Sequence, residues 1–272
     1  MAGGKKRSRK RRSRTRAHIP LIEIGTKCRK RIRQLFKWAG FQVIVANDNF
    51  KDACDTYRYN HPGTIVVEGD ITQKMTKKRI LEHVEKRKIG IIAGGPPCQG
   101  FSLAGKRLSD DPRNFLFKEF VEMVEIVQPE MFIMENVPGL LSSSGGKTYK
   151  SIIEEFGSIG YKISSQILNS AEFGVPQKRR RVFIVGARQD YNFVLPPILS
   201  DDMSFITVKD AISNLQHIYP INTDILEEYP EPETPYQEFL SGIMPPIEFI
   251  NSLNKRNAML SRSLFNFAFA AE

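Results

Sequence analysis

The sequence predicts an α/β fold organised around a largely parallel sheet. Three observations carry that prediction. Short β-branched runs alternate with helix-spaced segments from residue 41 to residue 187. Each strand-like run is short, apolar and bounded by Gly, Pro, Asn or Asp. Polar residues capable of chemistry recur where those runs end, which is where open parallel sheets bind their ligands.

In chain order, Leu21–Gly25 (LIEIG) can form a first strand, and Phe41–Ala46 (FQVIVA) forms the next. Lys51–Asn60 has helical spacing, and Thr64–Val67 is a short strand running into Glu68-Gly69-Asp70. A charged helix follows over Lys77–Lys88, then a buried strand over Ile89–Ala93 that ends at Gly94-Gly95-Pro96-Pro97. Asn114–Val127 is an amphipathic helix, Met131–Met134 a strand ending at Glu135-Asn136, and Tyr149–Ile159 a helix. Tyr161–Leu168 and Arg181–Ala187 are strands with no helix between them, which indicates an antiparallel edge. Beyond Arg188 the periodicity fades, and residues 188–272 hold eight of the sixteen prolines. Three parts result: a disordered basic arm over residues 1–18, an α/β domain over 19–190, and a loop-rich module, or the start of one, over 191–272.

The formal net charge of +10 is unevenly distributed. Residues 1–40 hold 15 Lys/Arg against the single acid Glu23, or +14, so the remaining 232 residues carry −4. A basic coat over the whole body is thereby excluded, and a phosphate-binding site in the body must be a local patch. The arm is read as a solvated tail, a phosphate-binding segment or an import signal. No run approaches the roughly 20 apolar residues of a membrane helix, and the basic start leads into no apolar signal segment. Three cysteines, Cys28, Cys54 and Cys98, are too few and too scattered for a disulfide framework or a zinc site, and a reducing compartment is the default. His18, His61, His83 and His217 lack ligand spacing, so no metal is expected.

Read as strand ends, Asp48, Asp70, Cys98 and Glu135 converge on one edge of the sheet. Cys54 lies within the helical stretch KDACDTY and reads as core. Cys98 lies in GGPPCQGF, where glycines and prolines fix an irregular loop able to hold a thiol out of the core. A thiolate nucleophile needs nearby positive charge or a helix start, and the cluster Lys178-Arg179-Arg180-Arg181 precedes the strand VFIVG. The residues alone leave other readings open. Glu135 suits a capping partner, Asp48 and Asp70 suit strand-end caps, and the arginines suit a solvated edge.

Gly95-Pro96-Pro97-Cys98-Gln99-Gly100-Phe101-Ser102, Glu135-Asn136-Val137-Pro138-Gly139 and Gln177-Lys178-Arg179-Arg180-Arg181-Val182-Phe183-Ile184-Val185-Gly186 resemble, in this order, the PCQ loop, the ENV motif and the QxRxR motif of the DNA cytosine-5 methyltransferases. Asp110–Phe117 lies between the first two, and the resemblance covers roughly residues 36–190. It implies a Rossmann-like, S-adenosylmethionine-dependent methyltransferase of bacterial or phage type, possessing part of a recognition module. It implies methylation of C5 of a cytosine flipped out of double-stranded DNA. In that chemistry the Cys98 thiolate adds to C6, Glu135 engages N3, and Arg181 holds the base carbonyl, with Arg179 and Gln177 in support. Gln99, Ser102 and Asn136 belong to the substrate loops. Asp48 matches the acid that binds the ribose hydroxyls, which suit a carboxylate because both donate. Asp70, with Ile71 beside it, matches the acid near the adenine amine, and Pro97 lies where backbone meets the cofactor.

The resemblance further implies a monomer in the bacterial cytoplasm, associated with the nucleoid, with a cognate restriction endonuclease as partner. An enzyme acting on transfer RNA and a non-catalytic DNA-binding remnant are the alternatives, and Gln99-Gly100-Phe101-Ser102 favours DNA. Two departures stand out. The family's glycine-rich turn should fall near Thr26–Arg31, where the sequence reads TKCRKR and Gly25 is the nearest glycine. The returning C-terminal motif has no counterpart before Glu272, so a truncated recognition module is expected, and family-like sequence beginning abruptly near Phe36 points to a damaged reading frame or a degraded gene behind both departures.

Overall fold

A computed structural model describes residues 19–25, 41–85, 87–96, 116–189, 194–195, 205–215, 231–244 and 248–249. The basic arm, the TKCRKR segment, Cys28, and the loop with Pro97, Cys98, Gln99 and Ser102 lie outside the described residues.

The described residues form a seven-stranded sheet of order β3-β2-β1-β4-β5-β7-β6. Its strands are β1 (Ile19–Gly25), β2 (Phe41–Asp48), β3 (Ile65–Glu68), β4 (Ile91–Gly95), β5 (Met131–Asn136), β6 (Lys162–Asn169) and β7 (Arg180–Ala187). Helices α1 (Lys51–Asn60), α2 (Lys74–Glu82), α3 (Leu116–Val127) and α4 (Lys147–Ser158) connect them. β1 to β5 pair in parallel, and β7 pairs antiparallel with both β5 and β6. The expected fold class and its antiparallel edge are thus present, as is the first strand, which lies between β2 and β4.

The elements differ from expectation mostly at their ends. β2 runs on to Asp48 and β5 to Asn136, so Asp48 and Glu135 lie within their strands instead of following them. Pairing extends these strands: Asp48 opposes Glu68, and Asn136 opposes Val182. β4 is displaced to Ile91–Gly95 because its glycines pair with Ile24 and Gly25 of β1. Glycine has low strand propensity, which hides this extension from the sequence. Gly94 is required by packing, since a Cβ there would lie 2.1 Å from the Ile24 carbonyl oxygen and 2.6 Å from the Phe120 ring. α2 begins three residues early and ends at Glu82, because His83, Val84 and Arg87 donate to turn carbonyls as the chain swings into β4.

One face of the sheet holds the larger core. Phe120, Phe132, Phe156 and Tyr161 pack there with Ile22, Ile24, Ile80 and Met134. The Phe132 and Phe156 rings stack at 3.9 Å between centroids. Phe132 opposes Gly186 on β7, and its ring occupies the space a side chain at 186 would need. Lys77 is buried on α2 and pairs with Glu119 and Glu122 of α3, pinning the two helices together. The opposite face holds Leu21, Phe41, Val43, Ile91 and Ala93.

Past β7, α5 (Val208–Ile212) and α6 (Pro235–Leu240) pack around Ala211, Tyr236 and Phe249 as a small separate core. Thr207 and Asp210 form a capping box on α5. Thr234 caps α6 and donates its hydroxyl to the Asp210 carbonyl, which ties the two helices.

Candidate active site

Because β1 to β5 are parallel, their carboxyl ends share one edge, and reversed β7 brings its first residues to that same edge. The candidate residues fall into two groups along it.

The first group lies at the exits of β2 and β3. Asp48 is buried, and its carboxylate accepts from the Phe50 amide at 2.9 Å. Asp70 is exposed two residues past β3, and its carboxylate accepts from both the amide and the hydroxyl of Thr72, each at 2.9 Å. Such bonds two residues onward are how aspartate stabilises a turn. Ile71 is half-buried against the main core. The sequence indicated these residues but not their support. Behind Asp48, Glu23 of β1 is buried and accepts from the Tyr57 hydroxyl at 2.8 Å, and Asn47 bonds across to β3. Glu23 and Tyr57 lie 34 positions apart, so no local signal marked this contact.

Cys54 on α1 is buried and its thiol points at the Asp48 carbonyl, so the core reading holds. Burial, helped by the Asp48 charge, pushes this thiol up from its ordinary value. His61 is likewise a core residue, its ring edge-on to Tyr57.

The second group lies on β5 and β7. Glu135 Oε1 is ion-paired with Arg181 Nε at 2.9 Å and accepts a hydrogen bond from Arg179 Nη2 at 3.5 Å. The register explains the meeting. Glu135 opposes Phe183, and side chains alternate along a strand, so residues 181 and 179 share the Glu135 face while Arg180 takes the other. Lys178 and Arg180 are exposed, as is Gln177, whose side chain is not hydrogen-bonded to Glu135. Ser170, which the sequence did not single out, holds the Arg179 carbonyl through its amide at 3.0 Å and its hydroxyl at 3.2 Å. Gly95 leaves room for the carboxylate: a Cβ there would sit 3.4 Å from Glu135 Oε2. Asn136 is buried beside it, donates to the Pro96 carbonyl at 3.1 Å and accepts from the Val137 amide at 2.8 Å. It thereby ties the end of β5 to the residue preceding Pro97.

Chemically, the edge offers two carboxylates at neighbouring exits and a third carboxylate within a fork of guanidinium groups. The first pair fits a ligand presenting hydroxyl and amine donors, as a nucleoside does. The third fits a planar heterocycle that must be held and have charge balanced on its ring. Among the described residues no group of His, Cys, Asp and Glu could hold a metal ion. No helix among them is long and apolar enough to cross a membrane.

Comparison with known proteins identifies the family. Residues 30–253 match the family model of the C-5 cytosine-specific DNA methylases. The Type II methyltransferase M1.HphI of Haemophilus parahaemolyticus is 42% identical over 182 residues, 66% of this chain and 48% of that protein. The Type II methyltransferase M.AquIA of Picosynechococcus is 45% identical over 210 residues, 68% of this chain and 84% of that protein. A solved structure from E. coli, described as a DNA modification methyltransferase encoded within a prophage, aligns with a TM-score of 0.60 at 26% identity, over 74% of this chain and 56% of that one. The chain spans about half the length of M1.HphI and of M.AgeI of Thalassovita gelatinovora.

Proposed function

The chain belongs to the C-5 cytosine-specific DNA methylase family, and from that premise we propose that it methylates C5 of cytosine in double-stranded DNA as the modification half of a restriction–modification system. The carrying observation is the Glu135–Arg181–Arg179 constellation, assembled from two motifs 44 residues apart in sequence. S-adenosylmethionine, the methyl donor of this family, supplies the methyl group when bound.

Asp48 takes the ribose hydroxyls, and Asp70 with Ile71 takes the adenine side, with Pro97 backing the cofactor. Glu135 presents its carboxyl group to N3 of the flipped cytosine and offsets the charge that develops when the Cys98 thiolate adds to C6. Arg181 orients Glu135 and holds the base carbonyl. Arg179, supported by Ser170, limits the freedom of that carboxylate. Asn136 keeps the approach to the cysteine loop, with Gln99 and Ser102, in register with Glu135, and Gln177 belongs to the loop over the base. Unstacking the base costs a few kcal/mol, which contacts in this pocket offset.

Residues 19–190 form the catalytic domain, residues 191–272 begin the recognition module, and residues 1–18 are a basic arm contacting phosphate. The protein acts as a monomer in the cytoplasm at the nucleoid, with a cognate endonuclease cutting unmodified sites. The test is a duplex containing 5-fluorocytosine, incubated with the full chain and S-adenosylmethionine. A covalent complex that forms with the wild type and is lost in Cys98→Ser is expected. Trapping that survives the substitution, or methyl incorporation into transfer RNA in place of duplex DNA, overturns the proposal.

A further inference from the structure

We propose that Asn47 is a positioning residue for the cofactor, setting the distance between Asp48 and Asp70 by holding the exit of β3 against the exit of β2. The inference rests on the reading of those two acids as cofactor-binding residues and extends it to a side chain that does not touch the ligand.

The two acids leave the sheet from neighbouring strands. The β2–β3 ladder fixes them only as far as the pair Asp48 and Glu68, with one further bond from the Gly69 amide to the Asp48 carbonyl at 3.0 Å. Beyond that bond the chain must turn to place Asp70. The turn passes through Gly69 at φ +150°, a conformation side chains rarely adopt, and a Cβ there would meet Thr76 Oγ1 at 2.6 Å. An irregular exit of this kind leaves carbonyls that strand pairing cannot satisfy.

Asn47 supplies what the ladder lacks. It is 3% exposed and neighbours Asp48 in sequence. Its Nδ2 donates to the Val67 carbonyl and to the Gly69 carbonyl, both at 2.9 Å. One amide nitrogen therefore grips the last turn of β3 on either side of Glu68. Two donors directed at two carbonyls require a primary amide at this position, since a carboxylate of the same shape would oppose both oxygens. The Asp48 carboxylate bonds to the Phe50 amide and the Asp70 carboxylate to the amide and hydroxyl of Thr72, each within its own turn. Buried polar groups left without a partner are costly, which makes this clip a strong restraint.

The consequence is a division of roles. Asp48 and Asp70 contact a nucleoside, and Asn47 holds them at a spacing that lets both contact the same molecule. Loosening the clip should weaken the ligand without changing the chemistry of the bound state.

The test is calorimetric titration of the full chain with S-adenosylhomocysteine, for wild type, Asn47→Asp, Asp48→Asn and the double variant. Asn47→Asp is expected to weaken binding about tenfold. In the Asp48→Asn background the same change should have little further effect, because with one of the two contacts already lost the spacing between them no longer matters. In turnover, KM for S-adenosylmethionine should rise while kcat stays within about twofold. Asn47→Ser, which retains a polar group but lacks the reach, gives a second route should Asn47→Asp fail to fold, with thermal unfolding recorded for each variant. Unchanged affinity in a folded variant overturns the inference, as does a loss that is additive with Asp48→Asn. If the wild type itself gives no heat, the cofactor reading of Asp48 and Asp70 falls, and this inference falls with it.

Discussion

The two halves of the carboxyl edge hold their acids by different physical means. On the β2–β3 half, Asp48 and Asp70 bond to backbone amides of their own turns, and an asparagine spans the gap between the exits. On the β5–β7 half, Glu135 is held by side-chain charges arriving from another strand. The difference follows from strand direction. Parallel exits carry their chains away from one another, so only short polar links can tie them. An antiparallel strand returns to the edge from outside, so the residues preceding it can present long side chains to a neighbour's last residue. The first arrangement suits a ligand recognised by fixed hydrogen bonds. The second suits a group whose charge must adjust as a reaction proceeds.

The largest expected effect separates the halves by function. Glu135→Gln should lower the methyl-transfer rate by about 100-fold or more while leaving the affinity for S-adenosylhomocysteine within about twofold. A parallel loss of cofactor affinity would show that the halves work as one unit and would break the comparison.

The next effect is on stability and addresses how β7 is seated. Gly186→Ala places a methyl group 2.0 Å from Phe132 Cε1, within the stacked aromatic cluster. It should cost about 3 kcal/mol in urea unfolding, the upper range for overpacking. Gly145→Ala meets no atom within 4 Å and has only its φ of +66° against it, so about 1 kcal/mol is expected. Equal midpoints for the two variants would mean that the ring yields and does not fix β7.

A smaller effect sharpens the charge argument. Arg181→Ala should slow covalent trapping by 5-fluorocytosine DNA about tenfold, and Arg181→Lys should recover only part of it. Lysine offers a point charge where the guanidinium offers a planar fork. Full recovery by lysine would reduce the role of Arg181 to charge alone.

The smallest effect compares two thiols. Burial raises Cys54 above its ordinary value, so at pH 8 its thiolate fraction is lowered and its access restricted. Brief treatment of the native protein with iodoacetamide at pH 8 should modify Cys98 at least about tenfold faster than Cys54. Peptide mapping checks this, and comparable labelling would place Cys54 outside the core.

Much of the fold was legible in the sequence because its signals are local. Strand runs such as FQVIVA and VFIVG, the helical spacing of Lys51–Asn60, and the buried character of Cys54 each depend on neighbours a few positions away. Element ends were less legible, as at Gly94-Gly95, where glycines pair as strand for reasons of packing that propensity does not express. The motif residues were legible too, and Asp48, Asp70, Glu135, Arg179 and Arg181 do meet at one edge. Gln177 stands apart from the Glu135 cluster, and Cys98 lies outside the described residues.

By itself the sequence determined the alternation of strands and helices, the antiparallel edge, the family, and the polar residues that stand at the strand ends. The tertiary structure alone decided that β7 lies between β5 and β6, so that Arg179 and Arg181 face Glu135, and that Asn47 bridges 22 positions to Gly69. The physical reason is range. Hydrophobic periodicity and turn chemistry act over a few residues, whereas strand order, and the buried polar contacts it creates, depend on how distant segments pack together.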